Sequence, residues 1–225
     1  MRTSARFASV VALAASGLFG GLVAVLHLLR PELAPSWHML SEYSVGPWGF
    51  LMRLAFLALA AAFASLALAL RDHAPGPVGT AGRCCLALAA LGATMGGLFN
   101  TDPPGTAPEH VSTTGVLHGF AFLLGVPGVL LAVTLLVAAL WRLPSWRSAR
   151  ALLAGSAALV WTTLLVFGHS MSSAMVNHAS GADFAVGWQN RAAVLAWVVW
   201  VAFLAGRVLA IGRLGTTTAG TGSTA

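Results

Sequence analysis

The stretch FASVVALAASGLFGGLVAVLHLL, residues 7–29, contains no Asp, Glu, Lys or Arg and lies between Arg6 and Arg30. A helix needs about 20 apolar residues to cross a hydrocarbon core about 30 Å thick. It must be a helix because every backbone N–H and C=O has to be paired within the segment once water is gone. The internal ALAAS offers a small-residue cleavage site, yet the apolar run continues well past the h-region of a signal peptide. Residues 7–29 are therefore expected to be a first, uncleaved membrane helix.

Comparable runs follow at 47–70, 84–101, 114–141, 151–168 and 185–206. They predict an all-α, polytopic membrane protein, a six-transmembrane-helix bundle occupying residues 1–214. The low-complexity GTTTAGTGSTA at 215–225 is expected to be a disordered tail. Pro47 suits the first turn of the second helix, and Pro127 between Gly125 and Gly128 predicts a kink in the fourth, where it removes a backbone hydrogen bond. Composition agrees: of 225 residues, 58% are hydrophobic and 8% charged, whereas soluble domains carry about a quarter charged residues.

The net charge of +6 would suggest nucleic acid in a soluble chain. Here the arginines stand at the ends of apolar runs, so they set orientation and nucleic-acid binding is excluded. Arg2, Arg6, Arg71, Arg83, Arg142, Arg147, Arg150, Arg207 and Arg213 fall on one side; Arg30 falls on the other, with Arg53 and Arg191 just inside it. The positive-inside rule then puts both termini in the cytoplasm, in a plasma-membrane protein. Trp141 and Trp146 fit an inner interfacial belt, and Trp37, Trp48 and Trp188 an outer one. All basic residues being Arg points to a GC-rich bacterial genome. Adjacent Cys84 and Cys85 cannot join distant segments by a disulfide and are expected to pack a helix.

With that topology, most acids and histidines gather at the outer end: Glu32, Glu42, Asp102, Glu109, Asp183, His27, His38, His110, His118, His169 and His178. Two arginines stand out there. Only 17 uncharged residues separate Arg53 from Arg71, and 15 separate Arg191 from Arg207, about 25 and 22 Å of helix. Each arginine is thus drawn inside the outer end, where charge is costly and normally turns inward to a partner. The expectation is a polar outer cavity in which Arg53 pairs with Glu42 or Asp102, roofed by SWHMLSEYSVGPWGFLMR, residues 36–53. Zinc would need convergence of His27, His118, His169 and Asp102, since no HxxxH is present. Haem b would need two histidines as axial ligands. Ser41, His118 and Asp102 can be drawn as a hydrolytic triad, without a G-x-S-x-G signature. Gly17 with Gly21, and Gly115 with Gly119, are GxxxG spacings that predict close helix approach.

Three pieces, LSEYSVGPWGFLMR after the first helix, GLFNTDPPG at the end of the third and TTGVLHGFAF entering the fourth, resemble in order and spacing the bacterial membrane family called domain of unknown function 998. The resemblance spans most of the chain. The layout is more distantly similar to the eukaryotic Frag1/DRAM/Sfk1 group, whose link to membrane lipid homeostasis is what that likeness suggests. By the motif match, the positions implied are Ser41, Glu42, Tyr43, Asp102 and His118.

Three readings of function remain open from the residues. The first is binding of a lipid headgroup or small amphipathic anion in the outer cavity, by Ser41, Glu42, Tyr43, Arg53, Asp102, His118, His169 and Arg191, with membrane lipids as partners. The second is an intramembrane His/Asp hydrolase or transferase, with or without zinc. The third is a non-catalytic module that assembles as a homo-oligomer or with a membrane protein partner.

Overall fold

An apolar chain placed in a bilayer satisfies its backbone by forming helices, and this one does so six times. The computed structural model describes residues 3–103, 105–177, 183 and 185–220, with side chains as far as 213. Arg2, His178 and residues 221–225 lie outside the described residues. The helices are α1 (Thr3–Leu29), α2 (Gly49–Ala69), α3 (Gly76–Leu98), α4 (Thr113–Trp141), α5 (Arg150–Val176) and α6 (Gly187–Gly220), joined by 3₁₀ turns at Leu40–Ser44, Pro108–His110 and Pro144–Ala149. There is no strand among the described residues. All six helices are long and apolar enough to cross a membrane, so the protein is an integral, multi-pass membrane protein.

Helix ends depart from the apolar runs for identifiable reasons. Gly46 (φ 79°) and Trp48 (φ 61°) both take left-handed backbone, so GPWG is a turn and α2 opens only at Gly49, two residues after Pro47. A side chain at Gly49 would run into the Ser44 carbonyl. α3 opens at Gly76 with Pro77 in its first turn, which leaves Arg83 inside the helix. From there Arg83 reaches back to the carbonyls of Arg71 and Ala74, both at 2.8 Å. It thus pins the turn between α2 and α3, whose carbonyls lie outside either helix. α4 passes through Pro127 as one continuous helix. α5 runs to Val176, well past Gly168, which puts His169 inside it.

Around the bundle the neighbours run α4, α3, α2, α1, α6, α5, and the ring closes weakly between α5 and α4. The most extensive pairing is α3 with α4. Glycine makes it possible: a Cβ on Gly92 would lie 2.7 Å from the Ala121 carbonyl and from Gly125 Cα, and one on Gly128 2.9 Å from Ala89 N. Small residues let membrane helices approach backbone to backbone. The expected GxxxG pairs do something else. Gly17, Gly21 and Gly119 face open space, and Gly115 makes room for the Asp102 carboxylate.

The core, with Phe19, Leu26, Met52, Phe63, Leu86, Val133 and Trp200 all nearly or fully buried, is mainly apolar. So is the outer surface, where Phe7 is 71% and Leu28 81% exposed. That surface suits membrane lipid. Inside the spans, Ser9 bonds to Ala5 O and Thr94 to Ala90 O in the preceding turn of their own helices, while the buried Ser16 hydroxyl has no partner among the described residues. Trp146, expected in an interfacial belt, is instead fully buried in the core, while Trp141, Trp48 and Trp188 are exposed.

Candidate functional site

At the end of the bundle opposite the termini, the α1–α2 connection folds into a lid. Arg30, only 8% exposed, begins it. Its Nε donates to Glu32, and one terminal nitrogen donates to the carbonyls of Val45 (2.9 Å) and Pro47 (2.8 Å). The same guanidinium holds the Glu32 carboxyl below the usual carboxylate range. Tyr43 is buried and donates to Leu33 O at 2.9 Å. Glu42 is buried as well, paired with His38 Nδ1 and accepting from Met39 N at 3.1 Å.

α6 fastens this lid. Arg191 Nε donates to His27 Nε2 of α1 at 2.8 Å, NH1 to the carbonyls of His38 (2.6 Å), Gly187 (3.0 Å) and Pro35 (3.2 Å), and NH2 to Tyr43 Oη at 3.2 Å. His27 Nδ1 faces Val23 O at 2.7 Å; a carbonyl only accepts, so Nδ1 carries the proton and Nε2 is free to take the one from Arg191. Leu40 N donates to Asn190 Oδ1 at 3.0 Å, and Gly187 N to Ser36 O at 3.0 Å. Any side chain at Gly187 would collide with the Pro35 carbonyl.

A second cluster joins α3 to α4. Ser112 caps α4 by accepting from Gly115 N at 3.0 Å, and Asp102 accepts from Ser112 N at 3.0 Å. A carboxylate there complements the positive end of the helix dipole. His118 Nδ1 donates to Phe99 O at 2.8 Å, which leaves Nε2 as an acceptor. The ring also stands edge-on to Phe56.

Between the two clusters and beneath the lid lies a cavity of about 530 Å³. Its walls are apolar, with Phe19, Met52, Phe63, Val129, Phe167 and Trp197 among them. Among the described residues its polar lining includes Ser41, Thr101, His118 and Asn190, and no Asp, Glu, Lys or Arg takes part. The volume is in the usual range for small-molecule sites, about 300–1,000 Å³.

The residues singled out in the sequence therefore separate. Glu42, Tyr43 and Arg191 meet in the lid; Asp102 and His118 each tie the start of α4 to the end of α3, by separate bonds; Ser41 and His118 share the cavity. Arg53 is exposed on α2 and His169 exposed on α5, neither with a hydrogen bond or ion pair among the described residues. Glu42 serves His38, not Arg53. Asp102 bonds to the backbone of Ser112 and His118 to that of Phe99, so the Ser41–His118–Asp102 relay is not assembled. No group of three His, Cys, Asp or Glu able to hold a metal occurs among the described residues, and His27, His118, His169 and Asp102 stay apart. The sequence reading missed Arg30, His38 as the partner of Glu42, and Asn190. The i, i+4 spacing of His38 and Glu42, and the polar run Gln189–Asn190–Arg191 inside an apolar segment, were the available signals.

The model of the family described as "Protein of unknown function (DUF998)" matches residues 13–207. The chain belongs to this family. No curated protein and no solved structure matches it, so the likeness to the eukaryotic group gains no support. Within this DUF998 chain, the three recognised pieces form the lid, the end of α3 and the start of α4, and each supplies residues to the 530 Å³ cavity.

Proposed function

We propose that this protein binds a neutral amphipathic lipid, one long apolar chain bearing a hydroxyl-containing head, in the cavity beneath the α1–α2 lid. The observation that carries the reading is the cavity lining: apolar walls, and a polar edge without a charged side chain among the described residues. Leaving the bilayer for such walls gains a chain almost nothing, because lipid tails are as apolar as leucine. Selection therefore falls to the head. Asn190, with Oδ1 taken by Leu40 N, offers its amide N–H groups; His118 offers Nε2 as an acceptor; Ser41 and Thr101 offer hydroxyls. That set matches an alcohol better than an anion. Arg191, the natural anion contact, spends its donors on the lid. The arginine distribution supports a plasma-membrane topology with both termini cytoplasmic, which puts the cavity in the outer leaflet.

The test is lipid analysis of the gently extracted protein beside that of Ala193→Trp, which fills the cavity wall, and His118→Leu, which removes the acceptor. A hydroxylated neutral lipid should be retained at about one per chain by the native protein and lost from both variants. Retention that mirrors bulk membrane composition in all three proteins would refute the reading. An assembly role is a second reading, favoured by Gly17 and Gly21 lying on an open face of α1; it expects Gly17→Leu to reduce the oligomer size measured in detergent.

A further inference from the structure

At the end of the bundle that carries both termini, the weak seam between α4 and α5 opens into a second cavity of about 440 Å³. Along α4 it is lined by Thr134, Ala138 and Arg142, one residue per turn, so it follows the helix for about 12 Å. α5 contributes Ala157 and Trp161. The polar groups of its floor satisfy each other: Trp161 Nε1 donates to Thr134 Oγ1 at 3.2 Å, and that hydroxyl donates to Leu130 O at 2.9 Å.

The rim is basic. Arg142 ends α4, is exposed, and has no hydrogen bond or ion pair from its guanidinium among the described residues. Arg147 in the following turn is also exposed. Arg150 folds back, donating to Trp141 O at 2.9 Å with its guanidinium 5.5 Å from the Trp141 ring. From residue 110 to 182 the chain has no Asp or Glu, so neither helix nor the turn between them neutralises this charge.

We infer that the α4–α5 groove holds an anionic phospholipid, with one acyl chain along Thr134 to Arg142 and the phosphate on Arg142. An apolar groove facing lipid cannot by itself prefer one phospholipid to another. A free guanidinium can, because its fork matches phosphate oxygens and a net-negative head keeps that attraction uncancelled. Arg147 and Arg150 add to the local positive field. This site differs from the lidded cavity in both position and head chemistry.

Native mass spectrometry of the full-length protein, titrated with phosphatidylglycerol or phosphatidylcholine, tests the inference. The native protein should retain one phosphatidylglycerol in preference to phosphatidylcholine. Arg142→Gln should weaken the phosphatidylglycerol complex about fivefold, the effect of one interfacial arginine, and leave phosphatidylcholine binding unchanged. Ala138→Trp, at an exposed position that the native core does not depend on, should block the groove. Arg71→Gln, an exposed arginine at the same end, should bind as the native protein does. No preference for phosphatidylglycerol, equal weakening by Arg71→Gln, or native binding by both groove variants would each overturn the inference.

Discussion

Removing the Arg191 guanidinium should unfasten the lid. In Arg191→Leu the His27 ring, the Tyr43 hydroxyl and three backbone carbonyls lose a common donor. Hydrogen bonds to a charged group contribute about 1.5–3 kcal/mol each. They are not additive here, since freed lid carbonyls regain water, so the loss expected is about 3–5 kcal/mol, as for breaking a buried charged pair. For a chain of this size that is a fall of roughly 10 °C in the thermal midpoint. Arg191→Lys should recover little, because an ammonium cannot reach five acceptors set around a planar fork. Arg53→Leu is the control: exposed and unpaired among the described residues, it should stay within about 0.5 kcal/mol of the native protein. Thermal melts in detergent give the magnitude, and hydrogen exchange at residues 33–43 gives the place. If Arg191→Leu melts with the native protein, or if exchange rises elsewhere than in the lid, the clamp described here is wrong.

Gly92→Val puts methyl groups where the Ala121 carbonyl and Gly125 already stand, and overpacking of this kind costs about 1–3 kcal/mol or more, whereas Gly17→Val points into open space and should leave the melt unchanged. A reversed order in thermal melts would contradict the α3–α4 packing. His73, in the turn between α2 and α3, is pushed below its usual range by burial, against the opposing pull of Asp72. The unfolded chain then takes up a proton first as pH falls below about 6.5, so this contribution to stability is complete above that pH and is lost as pH drops toward the lowered folded value. His73→Gln should therefore show a smaller drop in thermal midpoint between pH 7.5 and 5 than the native protein, and equal drops would exclude the effect.

The spans were legible because a bilayer imposes one requirement, length of apolar helix, that a sequence displays directly. The faces of those spans were not. Arg53 and Arg191 look equivalent by depth, yet α2 is apolar all round, so nothing in its pattern announces that position 53 shares the exposed face with Phe50, Leu54 and Leu57. Arg83 reads as a flanking charge until its reach to the turn after α2 is seen. In the site, the cost of an intramembrane charge correctly drew notice to Arg191, but its partners lie as far as 164 residues away, and such pairing is a property of the packed bundle. The charge-free lining of the cavity was equally hidden, because it depends on which side chains turn away.

That same clamp joins α6 to α1 and the loop after it, far earlier in the sequence. Tyr43 leaves the ribosome 148 residues before Arg191 does, a delay of roughly 7–30 s at bacterial or slower elongation rates. Throughout that interval the lid lacks its bonds to α6 and holds only those within residues 30–47 until α6 inserts. Closure of the loop thus reports that α6 is in place, and a chain truncated ahead of α6 would present an open loop that quality-control proteases can distinguish from the closed one.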